Sequence, residues 1–180
     1  MPQYNQTHTE QRLSRKNAVL SGIARIFQES LVCKTEEELG CVILHIAEEI
    51  TQSQFGFIGE INQRTGELDN IAISNPSWKV CKLYAPSCTG KKKLPIRFKI
   101  HGIYGRVITE RKSLYTNHPP SHPDSIGTPA EHPALHAFLG VPLNHAGHTI
   151  GMIGLGNREG GYGPNEVEDI EELVVAIVQA

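Results

Sequence analysis

The stretch FLGVPLNHAGHTIGMIGLG, residues 138–156, consists of two apolar runs, 138–144 and 149–156, hinged on the pair Ala146-Gly147. Short apolar runs joined by a glycine-bearing turn predict an antiparallel β-hairpin. Pro142 cannot donate to a strand ladder, so it places its strand at an edge or beside a bulge. A second hairpin is written upstream, where FGFIGEI (55–61) and LDNIAIS (68–74) flank the loop NQRTG (62–66). The run 113–116 predicts a further short strand.

Helices bracket these strands. Between residues 9 and 31, Leu13, Leu20, Ile23, Phe27 and Leu31 recur at steps of three, four and seven, which predicts an amphipathic helix. Its first half, 10–17, is nearly all polar, has little core to cover, and is expected to project and pair with another helix. Thr35-x-x-Glu38 has the form of a capping box, and Leu39, Val42, Ile43, Ile46 and Ile50 form the buried stripe behind it. The chain closes with a helix from Pro164, carrying Val167, Ile170, Val174 and Ile177 on one face. Helix, helix, two strands, three strands, helix is an α+β order with an antiparallel sheet of five to six strands and both terminal helices on one face. The intervening 75–137 is too long for an idle connection, so it is expected to be an irregular segment covering the other face and closing a ligand cavity.

A chain of 180 residues reads as one domain. Its 17 basic and 19 acidic residues leave a net charge of -2, which gives no global attraction to nucleic acid or an anionic membrane. No apolar run approaches the ~18–20 residues a span requires, and the polar N-terminus has no signal-peptide core, so a cytoplasmic location is expected. Four cysteines without a C-x-x-C pair read as reduced thiols, Cys33 and Cys41 serving as small core residues. Lys91-Lys92-Lys93, with Arg97 and Lys99, reads as a solvated basic loop. Gly154-x-Gly156-x-x-x-Gly160 is one residue too long for a dinucleotide turn and reads as turn glycines between the last strand and the last helix. No nucleophile elbow, H-E-x-x-H or Walker lysine is present, so no catalytic activity is expected.

Four segments carry a family resemblance: LDNIAISNPSW (68–78), IHGIYGRVITERKSLYTNHP (100–119), SHPDSIGTPAEHPALHAFLGVPL (121–143) and IGMIGLGNREGGYG (150–163). Together they resemble a GAF domain, PAS-related in fold, of the kind found in bacterial and archaeal sensor histidine kinases. TEQRLSRKNAVL, upstream, resembles the helical linker that precedes such domains. The resemblance implies a division into a linker helix, 1–17, and a GAF domain, 18–180. It further implies a sensory small-molecule-binding module, an input for a histidine kinase or similar output, and a homodimer through the terminal helices.

Candidate cavity walls are Trp78, Tyr104, Tyr115 and Phe138, with Phe57 and Ile73 from the sheet floor, because such cavities are mostly apolar. Some domains of this type resemble haem sensors in which a cysteine after the NPxW segment holds the porphyrin. Cys81, three residues after Trp78, matches that position, and His132 or His122 would be the axial ligand. His118-x3-His122 and His132-x3-His136, with Asp124 and Glu131, have zinc-like spacing, yet the surrounding prolines favour a loop over a ligating helix. A GAF-like free methionine sulfoxide reductase is the enzymatic alternative, with Cys81 and Cys88 as its thiol pair.

Overall fold

The structure is a computed structural model and describes residues 2–74, 97–128 and 132–180. The elements in order are α1 (Pro2–Ser30), α2 (Glu36–Thr51), β1 (Phe55–Ile61), β2 (Glu67–Ser74), β3 (Arg97–Lys99), α3 (Gly102–Glu110), β4 (Leu114–Thr116), a 3-10 turn (Pro119–Ser121), β5 (Phe138–His145), β6 (His148–Gly156) and α4 (Pro164–Gln179). The six strands form one antiparallel sheet in the order β3-β2-β1-β6-β5-β4, which is the α+β arrangement the element order predicts.

Local chemistry sets the pieces. The β5–β6 hairpin turns on Ala146 (φ 47°) and Gly147 (φ 81°) between the paired His145 and His148, a two-residue turn with both central residues left-handed. The β1–β2 loop is held by Asn62, whose Oδ1 accepts from the N–H groups of Arg64 and Thr65. Pro142 lies beyond Gly140, the last residue that β4 pairs, and a bulge follows at Leu143/Asn144. Both predicted settings for that proline therefore meet in one place. Thr35 caps α2 by accepting from Glu38 N–H, and Glu38 returns its carboxylate to Lys34 N–H.

The sheet separates two cores. On one face Leu139, Val141, Ile153 and Leu155 pack with Ile26 of α1, Ile43 and Leu44 of α2 and Leu173 of α4. On the other, Leu68, Phe138 and Met152 pack with Val107 and Ile108 of α3. The expected terminal helices on one face are thus present. The strand expected at 113–116 is present as β4, and the expectation that the rest of 75–137 is irregular is corrected: β3, α3 and the 3-10 turn all fall within it. Ile103, Val107 and Ile108 have helical spacing, but the segment spans only nine residues, too short for its period to stand out.

Two further corrections concern glycine and cysteine. Gly154 and Gly156 lie inside β6, and the turn before α4 instead uses Gly160 (φ 78°) and Gly161 (φ 81°). Cys33 is free, but Cys41 is disulfide-bonded. Helix α1 also starts earlier than its apolar period, at Pro2. It lies beside α4 and runs in the same direction: Arg15 bonds Asn165 O at 2.7 Å and the Asp169 carboxylate at 2.8 and 2.9 Å, while Gly22 abuts Leu173. Residues 2–14 therefore extend about 20 Å past the start of α4 at 1.5 Å per residue. Residues 9–14 are exposed, so the expected projection applies to this stretch.

Candidate functional site

Phe55 and Phe57 alternate with Gly56 along β1 and so share the sheet face opposite α1, α2 and α4. Their cross-strand partners on β6 are Gly156 and Gly154. The rings occupy the space these glycines leave: a Cβ on Gly154 would stand 2.4 Å from Phe57 Cε1, and one on Gly156 would stand 2.5 Å from Phe55 Cε2. Next to them, Gly140 of β5 makes room for Val107 of α3. Glycine in a strand interior normally weakens it, and here the aromatic rings refill the exposed backbone. The result is an aromatic floor lying close to the sheet.

Above that floor is a cavity of about 680 Å³. Its walls come from β3 and α3 (Phe98, Ile103, Tyr104), the turn and loop after β4 (Pro119, Ile126), and the approach to β5 (Leu135). Phe57 meets Phe98 and Tyr104 edge-on at ring separations of 6.2 and 6.4 Å. The Tyr104 hydroxyl donates to Lys99 O at 2.5 Å, and burial pushes its ionisation above the usual range, so it serves as a fixed neutral brace between α3 and β3. Polar groups on the lining include His101, Ser125, Thr128, His132 and His136. A mostly apolar hollow with a few placed polar groups suits a small organic molecule.

Of the residues singled out in the sequence, Phe57, Ile73, Tyr104, His132 and Phe138 line this cavity. Tyr115 does not: it sits on the edge strand β4 and is 41% exposed, because its pairing with Leu139 turns it away from the Phe138 face. His122 does not line it either. Its Nδ1 accepts from Asp124 N–H at 3.2 Å. Trp78, Cys81, Cys88, Glu131 and the run Lys91-Lys92-Lys93 lie outside the described residues. Among the described residues no three His, Cys, Asp or Glu side chains group as a metal site. Arg97 is paired with Asp69 at 3.0 Å. Sequence reasoning missed Phe55, Phe98 and His101, and it noted His136 for its zinc-like spacing, not as a cavity wall. Phe55 was within reach, since it stands two residues before Phe57 and therefore on the same strand face.

Two asparagines tie the cavity wall to α4. Asn157, at φ 60°, accepts from His136 N–H at 2.8 Å and Ala137 N–H at 3.4 Å, and donates to Ala134 O at 2.8 Å. Asn117, two residues before the cavity-lining Pro119, accepts from Tyr162 N–H at 2.8 Å and donates to Tyr162 O at 3.0 Å. Tyr162 is buried, which pushes its ionisation up to about 12, and its hydroxyl meets Ser53 at 2.7 Å. The segment that launches α4 is thus fastened at both ends to loops that wall the cavity. At the opposite margin, Glu48 hydrogen-bonds Ser74, and burial raises its carboxyl above the usual range despite that bond.

Among the described residues no helix is long and apolar enough to cross a membrane. Residues 33–180 match the family model of the GAF domain. The chain is 23% identical over 131 residues to a methyl sulfide methyltransferase-associated sensor of Methanosarcina acetivorans, a match that covers 72% of this chain and 12% of that protein's length. Among solved structures, it resembles the GAF domain of a phosphoenolpyruvate-protein phosphotransferase from Coxiella burnetii (TM-score 0.71, 18% identity, 89% of this chain and 90% of that one). It also resembles a free methionine-R-sulfoxide reductase from Neisseria meningitidis (TM-score 0.68, 12% identity, 92% of this chain and 86% of that one). With the family model spanning most of its length and the sheet and helices arranged as described, the chain belongs to the GAF domain family.

Proposed function

We propose that this chain is a non-catalytic sensory module that takes a small organic molecule into the cavity over the Phe55–Phe57 floor. In this reading residues 1–17 are a linker helix and 18–180 the sensory domain, working in the cytoplasm as a homodimer through its terminal helices. The output is a histidine kinase or a similar partner, carried elsewhere. The observation that supports it most directly is the apolar cavity of about 680 Å³, walled by loops that the Asn117 and Asn157 bonds fasten to the start of α4. A ligand shifts such a module only by the difference in its affinity for two helix arrangements, and a coupling of ~1–3 kcal/mol is ordinary.

Native mass spectrometry of the purified protein tests this. The wild type is expected to carry a non-covalent small molecule that Ile73→Trp, which fills the cavity from its floor, no longer retains. Equal retention by both proteins would refute the cavity as the binding site.

Haem is a second reading, supported by His132. This residue lines the cavity beside Phe55, and its Nδ1 lies 2.6 Å from Pro133 O. Metal-ligating histidines commonly give their other ring N–H to a backbone carbonyl, as Nδ1 does here. His132 would hold the iron, with Cys81 as the covalent anchor and His122 less suited because it is absent from the lining. The haem would supply redox or gas-binding chemistry, and the protein's part would be the apolar slot and the axial nitrogen. Titration with hemin is expected to give a Soret band that His132→Ala shifts and His122→Ala leaves alone. No band with wild type would end this reading.

A further inference from the structure

The ends of the cavity differ in chemistry from its floor. Ring contacts run from His101 to Tyr104 at 5.9 Å and from Tyr104 to Phe57 at 6.4 Å, and His132 meets Phe55 at 6.3 Å. Because Phe55 and Phe57 are neighbours on one strand face, the two histidines stand at the two ends of this run of rings. A Cβ on Gly102 would stand 2.9 Å from Ile126 Cγ1, which sets Ser125 beside the start of α3, at the His101 end. The Ser125 hydroxyl oxygen accepts from Gly127 N–H at 3.5 Å and keeps its O–H to donate. The His101 ring makes no capping bond to α3, whereas His132 Nδ1 is engaged with Pro133 O. Among the described residues no Asp or Glu stands on the lining. Its charged residues are Arg97, which pairs with Asp69, and Lys99. Both alternate with Phe98 on β3 and so lean away from the face that Phe98 shares with Phe57.

We propose that the ligand of this cavity is an aromatic acid, its ring system on the Phe55–Phe57 floor and its carboxylate at the His101–Ser125 end. The proposal rests on the sensory reading and names the ligand class of that same cavity. An aromatic lining favours a ring system, which gains offset and edge contacts beyond the area it buries. The charge follows from what the lining can supply. Histidine can take up a proton near neutral pH, and a ring N–H or a serine O–H donates to a carboxylate in a charge-assisted bond. No described lining group supplies the negative charge an ammonium would need. Carboxylates are absent there, and the Tyr104 hydroxyl is spent on Lys99 O, with its ionisation pushed up by burial. A cation taken into such a hollow gives up its hydration and meets no counter-charge. A neutral amide of the same shape buries the same rings and forgoes the charge-assisted bonds. Charge, and not size, therefore separates the three.

The test is calorimetric titration of the full chain with three probes of one shape: naphthoate, naphthamide and naphthylmethylamine, the last a cation at neutral pH. Naphthoate is expected to bind about tenfold more tightly than the amide, the increment of one charge-assisted hydrogen bond, and the amine more weakly than either. His101→Ala is expected to remove most of the advantage of naphthoate while leaving amide binding unchanged, and His132→Ala to leave naphthoate binding as it was. Ile73→Trp, which fills the cavity from its floor, is expected to abolish binding of all three. An amine that binds as tightly as naphthoate, an advantage of naphthoate indifferent to His101→Ala, or binding that survives Ile73→Trp would overturn the acid at this site. Absence of binding by all three probes would overturn it as well. The sensory reading fails separately: it stands where native mass spectrometry finds a small molecule that Ile73→Trp loses, and falls where both proteins retain that molecule equally.

Discussion

The ring of Phe57 fills the space over Gly154, its cross-strand partner, so closely that a single methyl group on that glycine would come within 2.4 Å of Cε1. The ring cannot withdraw freely, because Phe98 and Tyr104 meet it edge-on from above. Gly154→Ala is therefore expected to lower stability by about 1–3 kcal/mol, the usual cost of overpacking a well-filled interior. It should also reduce uptake of whatever occupies the cavity. Chemical denaturation measures the first effect, and a midpoint equal to wild type would refute the close approach.

The Arg15–Asp169 pair joins α1 to α4 through two bonds to a carboxylate that is only 3% exposed. Removing one partner leaves the other unpaired, so Arg15→Gln is expected to cost about 1.5–3 kcal/mol, the range for hydrogen bonds to charged groups. The double variant Arg15→Gln/Asp169→Asn should cost less than the sum of the two single changes. Strict additivity in that cycle would mean that the two side chains do not interact.

Asn157 combines a left-handed backbone with three side-chain bonds to the approach of β5. Asn157→Ala loses both features and should be destabilised by about 2–4 kcal/mol. Asn157→Gly accepts the backbone angle but still lacks the bonds, so it should recover only about 1 kcal/mol of that loss. Full recovery in the glycine variant would show that conformation, and not the clasp, fixes this residue.

Glu48 is held with its carboxyl above the ordinary range, chiefly by burial. The folded state therefore binds this proton more tightly than the unfolded chain does. Its contribution is fully present below the unfolded value, about 4.3, and is lost as pH rises through the folded one. Glu48→Gln, which can still accept from Ser74, should melt higher than wild type at pH 7 and converge with it in acid. Curves that stay apart at low pH would contradict the burial account.

The non-catalytic reading predicts no turnover of free methionine sulfoxide in the presence of a thiol reductant. Turnover abolished by Cys81→Ser or Cys88→Ser would replace the sensor with the reductase.

Much of this molecule was legible along the chain. The alternation of 55–61, the paired apolar runs on either side of Ala146-Gly147, and the Thr35–Glu38 cap each act over a few residues, so their chemistry is complete in the local sequence. Tertiary structure alone set β1 beside β6, nearly a hundred residues later. That pairing brings Phe55 and Phe57 over two glycines that read as turn residues in isolation. It also decided that Tyr115 faces solvent while Phe138 faces the cavity, and that the nine residues of α3 roof the second face. The physical reason is range: turns and caps are settled by neighbours in sequence, whereas a floor and a wall exist only once distant segments have chosen their partners.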